Sequence, residues 1–276
     1  MKIPPWLVGE FTGTFLLVFF GCGSVAAAVL TGAQIGIFQV AIVWGIAIAL
    51  AIHLTASLSG AHLNPAVTLA MAAFANFERR RVPGYLLAQL LGAFAAAAVL
   101  HVLFGSALQT FETTHGIVRG APGSEASAMI YGEYFPNPGG KALDQVTRES
   151  LPLWRAFLVE CIGTAVLLLA ICGLTDERNR SRSPVLTATG IGLTVTILIS
   201  LLAPLTQAGF NPARDLAPRL FSSLAGWKSL PFTFNGQGWW LVYVVGPILG
   251  GMIGAAAHRH LLAPAYRMPD HAPEAA

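Results

Sequence analysis

The tripeptide Asn-Pro-Ala occurs twice, at Asn64-Pro65-Ala66 and Asn211-Pro212-Ala213, and both copies interrupt a nearly continuous apolar chain at the same point of its two halves. Each copy reads as a helix start: Asn is a favoured N-cap, Pro suits the first helical position and Ala is the strongest helix former. The helices begun there are short. Apolar residues continue only over 65–75 and about 212–224 before polar and charged residues set in. At a rise of about 1.5 Å per residue, some ten residues cover roughly 15 Å, about half of a hydrocarbon core of roughly 30 Å. The sequence therefore holds two helices that can only half-cross a bilayer.

The chain around them is 55% apolar and 11% charged, with a mean hydropathy of +0.65, which excludes a soluble domain of this length. Its formal charge of +3 marks no nucleic-acid surface, because most of the 16 Lys and Arg fall in loops and ends, where they set orientation. Six segments are long enough to cross: 6–30, 36–58, 82–105, 153–174, 184–205 and 238–262. The first is too long for a signal-peptide core and lacks a cleavage site, so it is expected to be an uncleaved span. Cys22, Cys161 and Cys172 all lie within spans, which argues for small packing residues rather than a disulfide framework or metal site.

The order is three spans and one half-span, repeated. Residues 9–14 read Gly-Glu-Phe-Thr-Gly-Thr and 159–164 read Val-Glu-Cys-Ile-Gly-Thr, while Gln89-Leu-Leu-Gly92 is echoed by Pro247-Ile-Leu-Gly250. An odd number of full spans per repeat turns the second repeat upside down, so the half-helices enter from opposite faces and their N-termini meet near the midplane. The expected organisation is one channel domain over 1–262: repeat one at about 6–105, a packed external loop at 106–151, repeat two at 152–262. A disordered cytoplasmic tail is expected at 263–276. Lys2, Arg79, Arg80, Arg81, Arg178, Arg180, Arg182, Arg259 and Arg267 fall on one side, which the positive-inside rule makes cytoplasmic. Gly and Ala residues in the spans, among them Gly45, Gly92, Gly250 and Gly254, are expected at close helix contacts.

At the midplane, Asn64 and Asn211 would each cap a half-helix and keep amide N–H groups for a passing hydroxyl or water oxygen. Two helix N-termini meeting there create a positive potential that repels protons and cations. Arg214 stands in the first turn of its half-helix, where a cation opposes the macrodipole, and Val67 holds the equivalent place in repeat one. A local rule broken on one side only points to function, and pairing with Asp215 is compatible with that role. Glu10 and Glu160 are acids inside spans. They are read as acceptors for backbone N–H groups of the non-helical stretches 59–63 and 207–210, the alternative being a proton relay. His62 either lines the path or braces its loop.

With these residues assembled, the chain resembles the aquaporin and glycerol-facilitator family over almost its whole length. The resemblance rests on Ser59-Gly-Ala-His-Leu-Asn-Pro-Ala-Val-Thr68, on Gly209-Phe-Asn-Pro-Ala-Arg-Asp215 and on the paired Glu-x-x-Gly-Thr segments. It implies an all-α membrane fold of six tilted helices and two half-helices, with a pore in each protomer of a homotetramer. Asp215 and Arg219 are similar to the glycerol-conducting branch. For the outer filter the resemblance implies Trp44, Ile199, Ala208 and Arg214. Trp44 and Arg214 match glycerol facilitators, whereas Ala208 stands where they have Phe and Ile199 where they have Gly. One ring, one aliphatic residue and one small residue thus replace a two-ring wedge, which looks more like the plant nodulin-like intrinsic proteins that pass glycerol and neutral metalloid hydroxides.

The expected function is a passive channel in the plasma membrane, the inner membrane in a bacterium, for glycerol and water, excluding ions. A channel mainly for water, urea or metalloid hydroxides is the alternative. A proton-coupled transporter is a more distant one, motivated by Glu10 and Glu160. No metal-ligand spacing, nucleophile motif or phosphate loop supports an enzyme, and no cofactor or nucleic-acid partner is expected.

Overall fold

The structure, a computed structural model, describes residues 3–34, 36–179 and 183–266. In chain order the described residues form α1 (Pro5–Thr31), α2 (Ile37–Ser59), the short α3 (Pro65–Phe74) and α4 (Val82–Leu103). The outer segment then carries α5 (Gly105–Thr114), α6 (Glu125–Ala128) and α7 (Gln145–Glu149). The second half continues with α8 (Leu153–Thr175), α9 (Pro184–Thr206), the short α10 (Pro212–Ser222), α11 (Leu230–Thr233) and α12 (Gly238–Ala265), the last with π-helical turns at Leu241–Val245 and His258–Leu262. Six of these helices are long and apolar enough to cross a membrane, and their ends lie within about three residues of the sequence-derived spans, the scale of ordinary helix fraying. Ala263–Ala265 continue α12 where the sequence reads the onset of a disordered tail. The remainder, 267–276, lies outside the described residues, as do Lys2, Arg180, Arg182 and Arg267.

Packing repeats with the sequence. In one half α1 packs on α2 and α4, and in the other α8 packs on α9 and α12. The halves join along α2 and α9, where a Cβ on Gly45 or Gly192 would overlap the other glycine's carbonyl. The equivalent glycines Gly92 and Gly250 seat their helices against the Phe11 and Cys161 carbonyls in the same way. Lipid offers no hydrophobic drive between helices, so close backbone approach supplies the contact. The half-helices cross over: α3 packs on α12 of the other half, and α10 packs on α4.

The outer segment is packed, and its middle turns inward, with residues 124–135 all buried. That stretch carries Tyr131, Glu133 and Tyr134 against Arg214, Asp215 and Arg219 of α10.

Candidate functional site: a two-loop passage through the bundle

The loops before the two half-helices have matching backbones. Gly60, Ala61 and Leu63 take φ of 80°, 51° and 52°, and Gln207, Ala208 and Phe210, at the same offsets from their Asn, take 63°, 62° and 54°. Each non-glycine residue held there costs about 1 kcal/mol or more. Two buried carboxylates hold these loops. Glu10 accepts from the backbone N–H groups of His62 (3.0 Å) and Leu63 (2.8 Å), and Glu160 from those of Gly209 (3.0 Å) and Phe210 (2.8 Å). Gln89 Nε2 adds donation to Glu10 (2.7 Å) and to Thr68 Oγ1 (2.9 Å), and the Thr206 hydroxyl donates to Glu160 (2.6 Å). Both acids are thus occupied as backbone acceptors, the geometry of a brace. Gln89 and Thr206 are parts of it that sequence reasoning did not single out.

Between the braced loops the two Asn side chains face each other's loops. Asn64 Oδ1 caps α3 by accepting from the Ala66 N–H (2.8 Å), and its Nδ2 donates across to the Phe210 carbonyl (2.8 Å). Asn211 Oδ1 accepts from the Ala213 and Arg214 N–H groups, and its Nδ2 donates to the Leu63 carbonyl (2.8 Å). One hydrogen of each amide is thus committed to tying the repeats together, which leaves the second uncommitted. Pro65, Ala66, Pro212 and Ala213 are buried behind the caps, where they fix the half-helix starts.

A series of cavities that share lining residues runs past these groups. An outer cavity of about 400 Å³ narrows to one of about 50 Å³, sharing Trp44, Ile199 and Arg214 with it. The narrow part is also lined by Ala208 and Phe210, and it shares Asn64, Asn211, Leu17, Ile48, Leu167 and Val195 with an inner cavity of about 570 Å³. His62 and His53 line that inner cavity, and His62 Nδ1 also lies 3.3 Å from Thr68 Oγ1, so His62 both faces the path and touches its loop's helix. At the inner end a further cavity is lined by Asp176, Arg178, His258 and Arg259. There the Arg178 guanidinium holds the Asp176 carboxyl down at about 2. His258 is buried with Nε2 3.2 Å from Asp176.

The narrowest part is built on a guanidinium over an indole. Arg214 Cζ lies 4.7 Å from the centroid of the Trp44 ring, a cation–π distance. The ring is seated against Gly21, where a Cβ would overlap it. Arg214 Nη1 donates to the Tyr131 carbonyl (2.9 Å), and its Nε lies 2.9 Å from Glu133 Oε1. The pairing with Asp215 weighed from the sequence does not form. Asp215 instead binds Arg219 through two contacts (2.7 and 2.8 Å) and accepts from the Glu133 N–H (2.7 Å). Arg219 in turn donates to the Glu133 and Pro231 carbonyls. Asp215 therefore supports the outer segment, and Glu133 is the acid that meets Arg214. Sequence reasoning missed Glu133 among the acids of a polar loop. The available signal was its place beside Tyr131, Tyr134 and Phe135, an apolar run that reads as buried.

Six crossing helices, two half-helices capped by Asn and one lined passage define a multi-pass membrane channel for small solutes rather than an enzyme. Residues 5–258 match the family described as Major intrinsic protein. The chain is 42% identical over 257 residues to the glycerol uptake facilitator protein of Pseudomonas aeruginosa, covering 93% of this chain and 88% of that one. It is 38% identical over 257 residues to a propanediol uptake facilitator of Citrobacter freundii, covering 92% and 91%. Its fold is similar to the X-ray structure of the aquaglyceroporin from Plasmodium falciparum, with a TM-score of 0.81 at 27% identity over 95% of this chain and 98% of that one. The chain belongs to the major intrinsic protein family, and it is a passive channel.

Proposed function

We propose that glycerol is the principal solute and that other small uncharged polar molecules, water among them, pass with it. One observation carries this reading: the narrow cavity at Trp44, Ile199, Ala208 and Arg214 opens directly onto Asn64 and Asn211. A three-carbon polyol needs an apolar surface for its carbon face and donors for its hydroxyls. Trp44 and Ile199 would supply the first, and Arg214 with the two Asn amides the second. The names of the relatives, which mention glycerol and propanediol uptake, support the same class. The positive ends of two half-helices aimed at the midplane disfavour protons and cations.

The membrane is the plasma membrane, the inner one in a bacterium, with both ends of the chain cytoplasmic. Arg178 and Arg259 share one cavity with Asn76, just ahead of Arg79–Arg81, which supports this orientation. Exposed apolar residues such as Ile46, Leu50, Leu54, Ile197 and Leu201 fit contact with lipid or with neighbouring protomers of a homotetramer. We place the channel domain at 1–262.

Ala208 and Ile199 leave one ring in the filter, which favours a broader range that includes urea and neutral metalloid hydroxides. Permeabilities for water, glycerol, urea and arsenous acid in one proteoliposome preparation test both readings. Glycerol passage above empty liposomes is expected; water passage alone would overturn the polyol assignment.

A further inference from the structure

We propose that Glu133 is a specificity-determining residue of the filter, acting by pinning and neutralising Arg214; this rests on the proposed place of Arg214 in the filter. Glu133 is fully buried, and its carboxylate lies 2.9 Å from Arg214 Nε. Its position is over-determined. The backbone N–H donates to Asp215 (2.7 Å), the carbonyl accepts from Arg219, and Arg219 is itself held by Asp215. Its second carboxylate oxygen rests against Gly209 in the pore loop, where any Cβ would overlap it. A residue held at both backbone groups, with its carboxylate enclosed between Arg214 and Gly209, cannot follow Arg214 into the passage. It holds the guanidinium in place instead.

The consequence is electrostatic and steric together. Arg214 meets solute as half of a buried ion pair, with Nε facing Glu133, one Nη1 hydrogen spent on Tyr131 and its face over Trp44. Its remaining donors serve the solute, while its charge is compensated within the fold. Removal of the carboxylate leaves an uncompensated buried cation, which attracts water and solute oxygens more tightly and is free to lean into the narrow cavity of about 50 Å³. A polyol that needs both width and several hydroxyl contacts suffers more from this than a single water does. The structure therefore assigns to Glu133 part of the preference for polyol over water.

The test is the ratio of glycerol to water permeability, measured by stopped-flow light scattering on the full-length protein in proteoliposomes at matched protein content. Glu133→Gln, which keeps the shape and removes the charge, is expected to lower the ratio by about threefold to tenfold, the net range of one ordinary hydrogen bond. Glu133→Asp, which keeps the charge on a shorter arm, is expected to give an intermediate ratio, and it carries the test alone if the Gln variant is not recovered folded. A merely structural role would scale both fluxes together and leave the ratio unchanged, which overturns the proposal. Arg214→Val separates the two levels. If it shifts the ratio and Glu133→Gln does not, the Glu133 assignment alone fails; if neither shifts it, the placement of the filter fails as well.

Discussion

Arg214 sits in the first turn of α10, where the helix macrodipole opposes it, and the structure shows how the conflict is met: Glu133, Tyr131 and Trp44 surround the guanidinium on three sides. Ile199 and Ala208 line the same small cavity. Ile199→Gly removes a branched side chain from the wall and is expected to raise the permeability of larger polyols relative to water. Ala208→Phe adds a ring to a cavity of about 50 Å³ and is expected to narrow the solute range while water still passes. Both are read as ratios of glycerol to urea permeability. Unchanged ratios in both variants would contradict this location of the filter. At this scale the sequence was legible wherever a residue broke a local rule. Asn64, Asn211, Glu10, Glu160 and Arg214 each stood out against their apolar or helical surroundings. Glu133 did not, because an acid in a loop between spans breaks no rule until the loop turns into the bundle.

The pore loops are the elements on which the passage depends, and they are costly in isolation. Ala61, Leu63, Ala208 and Phe210 all hold positive φ without being glycine, each at about 1 kcal/mol or more. The carboxylates beneath them offset that cost. Glu160→Ala would leave the Gly209 and Phe210 N–H groups and the Thr206 hydroxyl without their acceptor. At about 1–3 kcal/mol for each orphaned buried group, a loss of at least about 3 kcal/mol is expected. It is measured as a lower unfolding temperature of the detergent-solubilised protein together with lost flux. Glu149→Ala, on the exposed helix α7, should leave both unchanged. A Glu160→Ala protein with unaltered melting and flux would show that the loop does not need its brace. The brace was readable from the symmetric placement of the two acids, but its completion by Gln89 and Thr206 was not. Polar residues in a span announce a hydrogen bond without naming the partner, which comes from another helix.

For the whole molecule, the inverted repeat puts the two half-helices tip to tip, and the cross-bonded Asn side chains join the halves at their meeting point. The architecture was legible because span length, span number and the twin motif each follow from bilayer thickness and helix geometry. The inward path of residues 124–135 was not, since loop packing depends on contacts far away in the chain. Nothing in this arrangement calls for a coupled cycle: successive cavities share lining residues along the bundle, and the acids a proton-coupled cycle would use are held as backbone acceptors. Flux should then follow the solute gradient alone. The decisive measurement is glycerol-driven reswelling of proteoliposomes over a range of glycerol concentrations, with and without an imposed pH gradient. The expected result is a rate well above empty liposomes, linear in concentration and indifferent to the pH gradient. A rate equal to that of empty liposomes, or one that saturates and depends on the pH gradient, would contradict a passive polyol channel.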